Sequence, residues 1–313
     1  MSASHVPISP RSLPTPRRLP VWHTIRSILQ RDKRPLFGVA ILAVFVLMAI
    51  LAPVLTPYSP SQTGFQTMAA PSARHWLGTT ASGQDVLSQF LYGSRISLGV
   101  GFTAGFIATL LAVIMGMFPA YLGGHTDTIM ATVTNIMLVI PGLPLLIVIT
   151  AYVHQTGPAT IALVIGLTGW AWGARVLRSQ TLTLSHRDFV VAARLAGENR
   201  WRILLAEILP NMLSLVVANV VFATIGAILA EASLEFLGLG NPNIITWGTM
   251  LYWADAGEAL LGGAWWWIVP PGLAIALVGL SLALINFGID QIANPRLRVN
   301  RIRKNRAGRG SHP

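Results

Sequence analysis

The sequence predicts an all-α polytopic membrane protein, and three observations carry that prediction. Only 11% of the 313 residues are charged and 53% are hydrophobic, whereas a soluble domain carries roughly 25% charged residues. The apolar residues fall into long uncharged runs: 35–73, 96–126, 128–174, 208–230 and 259–289. The basic residues, by contrast, are clustered between and outside those runs.

A helical span needs about 20 mostly apolar residues to cross a hydrocarbon layer about 30 Å thick. Six transmembrane helices are therefore expected, at about 36–55, 97–121, 128–152, 158–176, 210–231 and 266–289. The longest run must hold two of them, divided at the turn His154-Gln155-Thr156-Gly157-Pro158. Pro141 and Pro144 predict a kink in the third. Gly99, Gly101, Gly166 and Gly169 predict close helix packing.

Of 22 Lys and Arg, seven lie in 11–34, six in 175–202 and seven in 296–309. With six spans those clusters share one side, which the positive-inside rule makes cytoplasmic. The expected organisation follows. Residues 1–35 form a basic cytoplasmic tail with an interfacial helix at Val21–Arg31. Residues 36–95 hold the first span and an extracytoplasmic segment, 96–293 a five-helix core with a loop at 177–211, and 294–313 a basic tail. Both termini are cytoplasmic. The net charge of +11 reads as a topology signal whose partner is anionic membrane lipid, not nucleic acid. The first apolar run is too long, and lacks the cleavage site, for a removable signal.

Several chemistries lack their residues. With no cysteine there is no disulfide, thiolate metal site or thiol nucleophile. Neither lysine, Lys33 nor Lys304, follows a glycine, so the G-x-x-x-x-G-K-[ST] phosphate loop is absent. H-E-x-x-H and G-x-S-x-G are absent too. No metal site and no catalytic residue is expected. The span interiors read as free of ionisable residues, which argues against a proton-driven carrier. Asn135, Asn219 and Asn286 read as interhelical hydrogen-bond partners.

The polar stretch Asp188–Asn211 stands out. Ser185-His186-Arg187-Asp188 resembles a capping box, opening a helix from about Asp188 to Ala196. Gly197 suits a left-handed helix stop and Asn199 a second cap. The second helix is expected over Arg200–Leu209, ending at Pro210. Ala192, Ala193 and Ala196 form a smooth face, ringed by Arg194, Arg200 and Arg202, that another backbone can approach.

This stretch resembles the E-A-A-x-x-x-G-x9-I-x-L-P signature of ABC importer permeases, with Val191-Ala192-Ala193, Gly197 and Leu209-Pro210 in register. Val191 replaces the signature Glu, and Glu207 replaces Ile or His. His75-Trp76-Leu77-Gly78-Thr79 through Asp85-Val86-Leu87-Ser88 is similar to that family's H-P-L-G-T-D-x-x-G-R-D-V-L-S segment. Glu231-Ala232-Ser233-Leu234-Glu235-Phe236-Leu237-Gly238-Leu239-Gly240, followed by Trp247-Gly248-Thr249-Met250-Leu251, is similar to its E-A-S-L-S-F-L-G-L-G…W-G-x-M-L region. Pro270-Pro271-Gly272 through Asn294-Pro295-Arg296 resembles its last span and exit. The resemblance covers about 36–298 and is to the C-type permease of dipeptide, oligopeptide and nickel ABC importers.

The resemblance implies a type I ABC importer permease fold with a cytoplasmic coupling helix, in a bacterial inner membrane. It implies a homologous B-type permease partner, two cytoplasmic ABC ATPase subunits and an extracytoplasmic solute-binding protein, with ATP and Mg held by the ATPases and no cofactor here. It implies ATPase coupling through Asp188, Val191, Ala192, Ala193, Ala196, Gly197, Arg200, Glu207 and Pro210. The outer segment 232–264 is expected to meet the binding protein, with Trp265–Trp267 forming an interfacial aromatic belt. Asp255 and Glu258 read as solvated outer-loop charges. Dipeptides, longer peptides, glutathione, nickel chelates and antimicrobial peptides all use this scaffold, and substrate-binding residues are not readable.

Overall fold

The computed structural model describes residues 33–153 and 157–293, with side chains to Ile289. The expected interfacial helix at Val21–Arg31, most of the basic tails and the turn residues His154, Gln155 and Thr156 lie outside these. Among the described residues ten helices form: α1 Arg34–Leu55, α2 Val86–Leu122, α3 Gly124–Val139, α4 Gly142–Tyr152, α5 Pro158–Thr168, α6 Ala171–Ser185, α7 Asp188–Leu195, α8 Arg200–Phe236, α9 Trp247–Ala256 and α10 Trp265–Ala293. Among the described residues the only strand-like pairing is an isolated bridge between Thr79 and Asp85.

Helices α1, α2, α8 and α10 are each long and apolar enough to cross a membrane. The pairs α3/α4 and α5/α6 reach that length only together, bent by 89° and 42°. The kink expected in the third span is thus a break. Ile140 and Pro141 are both extended (ψ 125° and 121°), Ile140 because proline disfavours helical backbone in the residue before it. The pair still traverses the bundle. Asp127 in α3 meets Arg178 in α6 at one end, while Leu146 in α4 packs with Val100, Ile161 and Leu234 toward the other.

Two helices are longer than expected. α2 starts at Val86 instead of 97 because Asp85 caps it, its Oδ2 accepting from Ser88 N–H at 2.8 Å and Ser88 Oγ–H at 2.8 Å. α8 runs through Pro210, where a stop was expected, and on to Phe236. A wide π turn at Ile203–Ile208 precedes Pro210, and another at Val113–Met117 precedes Pro119. Widening the turn frees the carbonyl that the proline ring would strike, so the helix passes a residue that otherwise ends it.

α2 is the central helix, packed along α8, α5 and α1. Glycines permit this closeness: a Cβ on Gly105 would lie 2.7 Å from Thr224 N, and one on Gly116 2.8 Å from Ala174 Cα. Gly101 meets Ile228, and Gly166 meets Ile107, as the small-residue pattern predicts. Gly99, however, faces open space. Outward faces of the long helices carry exposed apolar residues such as Phe37, Ile50, Val54 and Leu273, the surface a lipid environment covers.

Residues 56–85 and α9 close one end of the bundle. His75 Nδ1 and Asp85 Oδ1 lie 2.8 Å apart, and Trp266 Nε1–H donates to Thr79 O at 3.3 Å. Trp247 is fully buried, its ring 5.8 Å from Phe45 and 6.2 Å from Phe90. The aromatic belt needs correction here. Trp265 is 56% exposed, but Trp266 and Trp267 are buried, since both are used to hold the closing segment on α10.

Candidate functional site

The hairpin α7–Gly197–α8 lies at the end of the bundle opposite α9. The Ser185–Asp188 capping box does not form. α6 runs to Ser185, so that hydroxyl bonds back to Leu182 O at 2.8 Å, and the N-cap of α7 is Arg187 without a side-chain bond. The remaining features match. α7 ends at Leu195, Gly197 is left-handed at φ +80°, and Gly197 N–H and Glu198 N–H donate to Arg194 O and Ala193 O, both at 3.1 Å. Asn199 Oδ1 accepts from Trp201 N–H at 3.0 Å and opens the next helix.

What holds the hairpin is distinct from what it presents. Val190 is fully buried against Leu177, Ile203 and Leu204, a burial worth about 1.5–3 kcal/mol. Arg194 sits 5.3 Å over the Tyr121 ring, and Trp201 packs 5.9 Å from Phe118, tying the hairpin to the end of α2. Asp188, Val191, Ala192, Ala196, Gly197 and Arg200 are exposed, and Ala193 half-buried. Leu195 is 85% exposed, so the tip is an uncovered apolar surface on a short rigid helix. Glu207 and Pro210 are not part of it. They sit on α8 roughly 10–15 Å along the helix from Arg200, Glu207 half-buried with its carbonyl accepting from Asn211 Nδ2–H at 2.6 Å.

Three features escaped sequence reasoning. The first is a cavity of about 490 Å³ between α2, α4, α5, α6 and α8, lined by Leu146, Trp172, Val176, Asn219, Phe222 and Ala227 among others. Asn219 Nδ2–H donates to Thr109 Oγ1 at 3.0 Å on its wall, the interhelical role expected of it. The second corrects the expectation of spans without ionisable residues. Glu231 and Glu235 are both buried in α8, one turn apart. Ser97 Oγ–H donates to Glu231 Oε1 at 3.0 Å, Thr246 Oγ1–H donates to Glu235, and Trp247 N–H donates to Ser97 Oγ at 3.1 Å. This network fastens α9 to α2 and α8. Its sequence signal was two glutamates at i, i+4, one helix face.

The third is a pair of polar links between α3 and α6. Asp127 and Arg178 form a two-pronged ion pair at 2.7 Å. Arg175 Nη2–H reaches Asn135 Oδ1 at 3.4 Å, which gives Asn135 the interhelical role expected of it. Asn286 is buried, and its Oδ1 has no hydrogen-bond partner among the described residues.

Comparison with known proteins fits this architecture. Residues 98–299 match the family model for the binding-protein-dependent transport system inner membrane component, and residues 21–71 match the N-terminal TM domain of oligopeptide transport permease C. The chain is 34% identical to the dipeptide transport system permease protein DppC of Bacillus subtilis, over 86% of this chain and 84% of that one. It is 34% identical to a putative peptide transport system permease protein of Brucella suis, over 92% and 96%. Identity to the oligopeptide transport system permease protein OppC of Bacillus subtilis is 31%, over 90% and 92%. With a matched core and full-length relatives, this chain belongs to the binding-protein-dependent transport system inner membrane component family, as a multi-pass permease subunit of an ABC importer and not an enzyme.

Proposed function

We propose that this chain forms half of the translocation pathway of an ATP-driven importer of dipeptides or oligopeptides. A homologous B-type permease supplies the other half. Two cytoplasmic ABC ATPases bind ATP and Mg, and an extracytoplasmic solute-binding protein delivers the substrate. The observation that carries the reading is the rigid hairpin, anchored by Val190, Arg194 and Trp201 yet presenting an uncovered apolar tip. The peptide substrate is drawn from the relatives' names.

In this reading the hairpin faces the cytoplasm, as do both termini, and α9 with residues 56–85 faces outward to the binding protein. Coupling runs through Asp188, Val191, Ala192, Ala193, Ala196, Gly197 and Arg200 at the tip. Glu207 and Pro210, further along α8, transmit the motion instead of touching the ATPase. ATP binding draws the two permeases' hairpins together and opens the pathway outward, and hydrolysis resets it. The domain limits proposed are a tail to 35, a first span and outer segment to 95, a core to 293 with its coupling loop at 177–211, and a basic tail beyond.

Affinity purification of the tagged chain from cells expressing its neighbours tests this. A second permease and ATP-binding subunits are expected to co-purify, and peptide uptake is expected to require them. Peptide uptake by this chain without any ATPase would contradict the reading.

A further inference from the structure

We infer that the cavity between α2, α4, α5, α6 and α8 is a resting site for the transported peptide, receiving one uncharged apolar side chain, and that Gly226 keeps room for it. The inference rests on the peptide-import reading above and adds a selective contact to it.

The cavity lies where a solute has to pass. Its lining residues on α8 run from Leu215 to Ala230. That stretch stands between the hairpin, where α8 begins at Arg200, and Glu231, where the network to α9 begins. Both interrupted spans break at the cavity wall. Gly142 opens α4 directly after the extended Ile140 and Pro141, and Thr168 and Gly169 mark the bend between α5 and α6. A broken helix leaves backbone N–H and C=O groups without intrahelical partners. Within a membrane such backbone is tolerated only where it is buried in protein or lines a water-filled cavity. The volume of about 490 Å³ falls within the roughly 300–1,000 Å³ of small-molecule sites. Trp172 and Phe222 line it and are each 61% exposed, so it opens on the surface of the chain.

Gly226, on the cavity wall, is not required by packing or by backbone conformation. A Cβ there would meet nothing within 4 Å, and its φ is not left-handed. Glycine is the poorest helix former after proline, so α8 would gain stability from a side chain at this position. Gly173 differs, since a Cβ on it would lie 2.5 Å from Asn219 Oδ1. What Gly226 provides is space in the cavity.

The lining chemistry identifies the occupant. No ionisable side chain lines the cavity, and the side-chain acceptors on it are Thr168 and Asn219. The Thr168 hydroxyl is turned onto its own helix, donating to Val164 O at 2.8 Å. Asn219 donates to Thr109, and its Oδ1 accepts no hydrogen bond among the described residues. A fitting occupant therefore presents an apolar body with a hydrogen-bond donor beside it. A lipid chain has no donor, and a partner helix has its backbone N–H groups satisfied internally. A peptide residue in extended form has both, an apolar side chain and the backbone N–H next to it. A charged side chain would lose its hydration there without a counter-charge.

The test uses the whole importer in proteoliposomes, with binding protein loaded with trialanine or with Ala-Phe-Ala, two peptides that differ only in the middle side chain. Gly226→Leu, which fills the cavity, is expected to lower Ala-Phe-Ala uptake about tenfold or more and trialanine uptake by less than about threefold. Binding-protein-stimulated ATP hydrolysis should stay within about twofold, and Gly226→Ala should fall between wild type and Gly226→Leu for Ala-Phe-Ala. Ala-Phe-Ala uptake by Gly226→Leu equal to wild type overturns the assignment. So does an equal loss of both peptides, which means a general obstruction if ATP hydrolysis is retained and a contact with the partner permease if it is lost. A wild-type importer that takes up trialanine but not Ala-Phe-Ala overturns it as well. Uptake of neither peptide by the wild-type importer overturns the peptide reading itself, and is seen before any variant is compared.

Discussion

Asp127 and Arg178, fifty-one residues apart in sequence, meet through two parallel hydrogen bonds of 2.7 Å and join the first turn of α3 to the middle of α6. The pair stabilises the α3/α6 contact next to the segment that leads into the hairpin.

Removing either partner strands the other charge in a half-buried setting. Asp127→Asn or Arg178→Gln is predicted to cost about 1–3 kcal/mol, seen as a lower thermal midpoint of the purified protein in detergent. The exchange Asp127→Arg with Arg178→Asp should recover part of the loss. Additive losses in the double variant would mean that the two residues do not interact.

The left-handed Gly197 gives a conformational prediction. A Cβ there meets nothing within 4 Å, so any penalty comes from φ alone and is about 1–2 kcal/mol for Ala. Gly197→Asn, which tolerates that region better, should retain more substrate transport per ATP hydrolysed than Gly197→Val. Equal coupling in both would show that the turn geometry is irrelevant to the joint.

Val191 is 42% exposed at the tip, so Val191→Glu carries little folding cost, within about 0.5 kcal/mol. On the proposed coupling, in which the alanine face and the glycine turn form the joint, transport per ATP should stay within about twofold. A several-fold gain would show that an acid at this position is a missing coupling contact.

At the far end of α8, Glu231 Oε2 is buried without a hydrogen-bond partner among the described residues, and Glu235 lies one turn along. Glu235→Gln places an amide donor there and should leave the thermal midpoint equal or higher. Glu231→Leu leaves the Ser97 hydroxyl, which also accepts from Trp247 N–H, without its own acceptor and should cost about 1–3 kcal/mol. A lowered midpoint for Glu235→Gln alone would contradict the network as drawn.

Hydrophobic runs and punctuation residues made much of this legible in advance. Gly197 and Asn199 act locally, through φ and a side-chain cap, so their roles could be read from neighbours in sequence. The 89° break after Val139 could not be sized that way, because proline marks a bend while packing sets its angle. Pro210 misled, since the π turn before it is a tertiary solution to a local clash. The buried Trp266 and the inward glutamates depend on contacts from distant helices, which residue spacing does not encode.

The central claim is that the α7 hairpin docks a separate ATPase. The chain has no cysteine, so Ala196→Cys gives a unique and exposed thiol at the tip. A thiol-reactive photo-crosslinker on it, in the assembled importer in native membranes, is the most direct test. The account predicts a crosslinked product containing this chain and an ATPase subunit, with a yield that changes when ATP is added. A product with the solute-binding protein instead, or none with the ATPase in an importer that hydrolyses ATP, would contradict it.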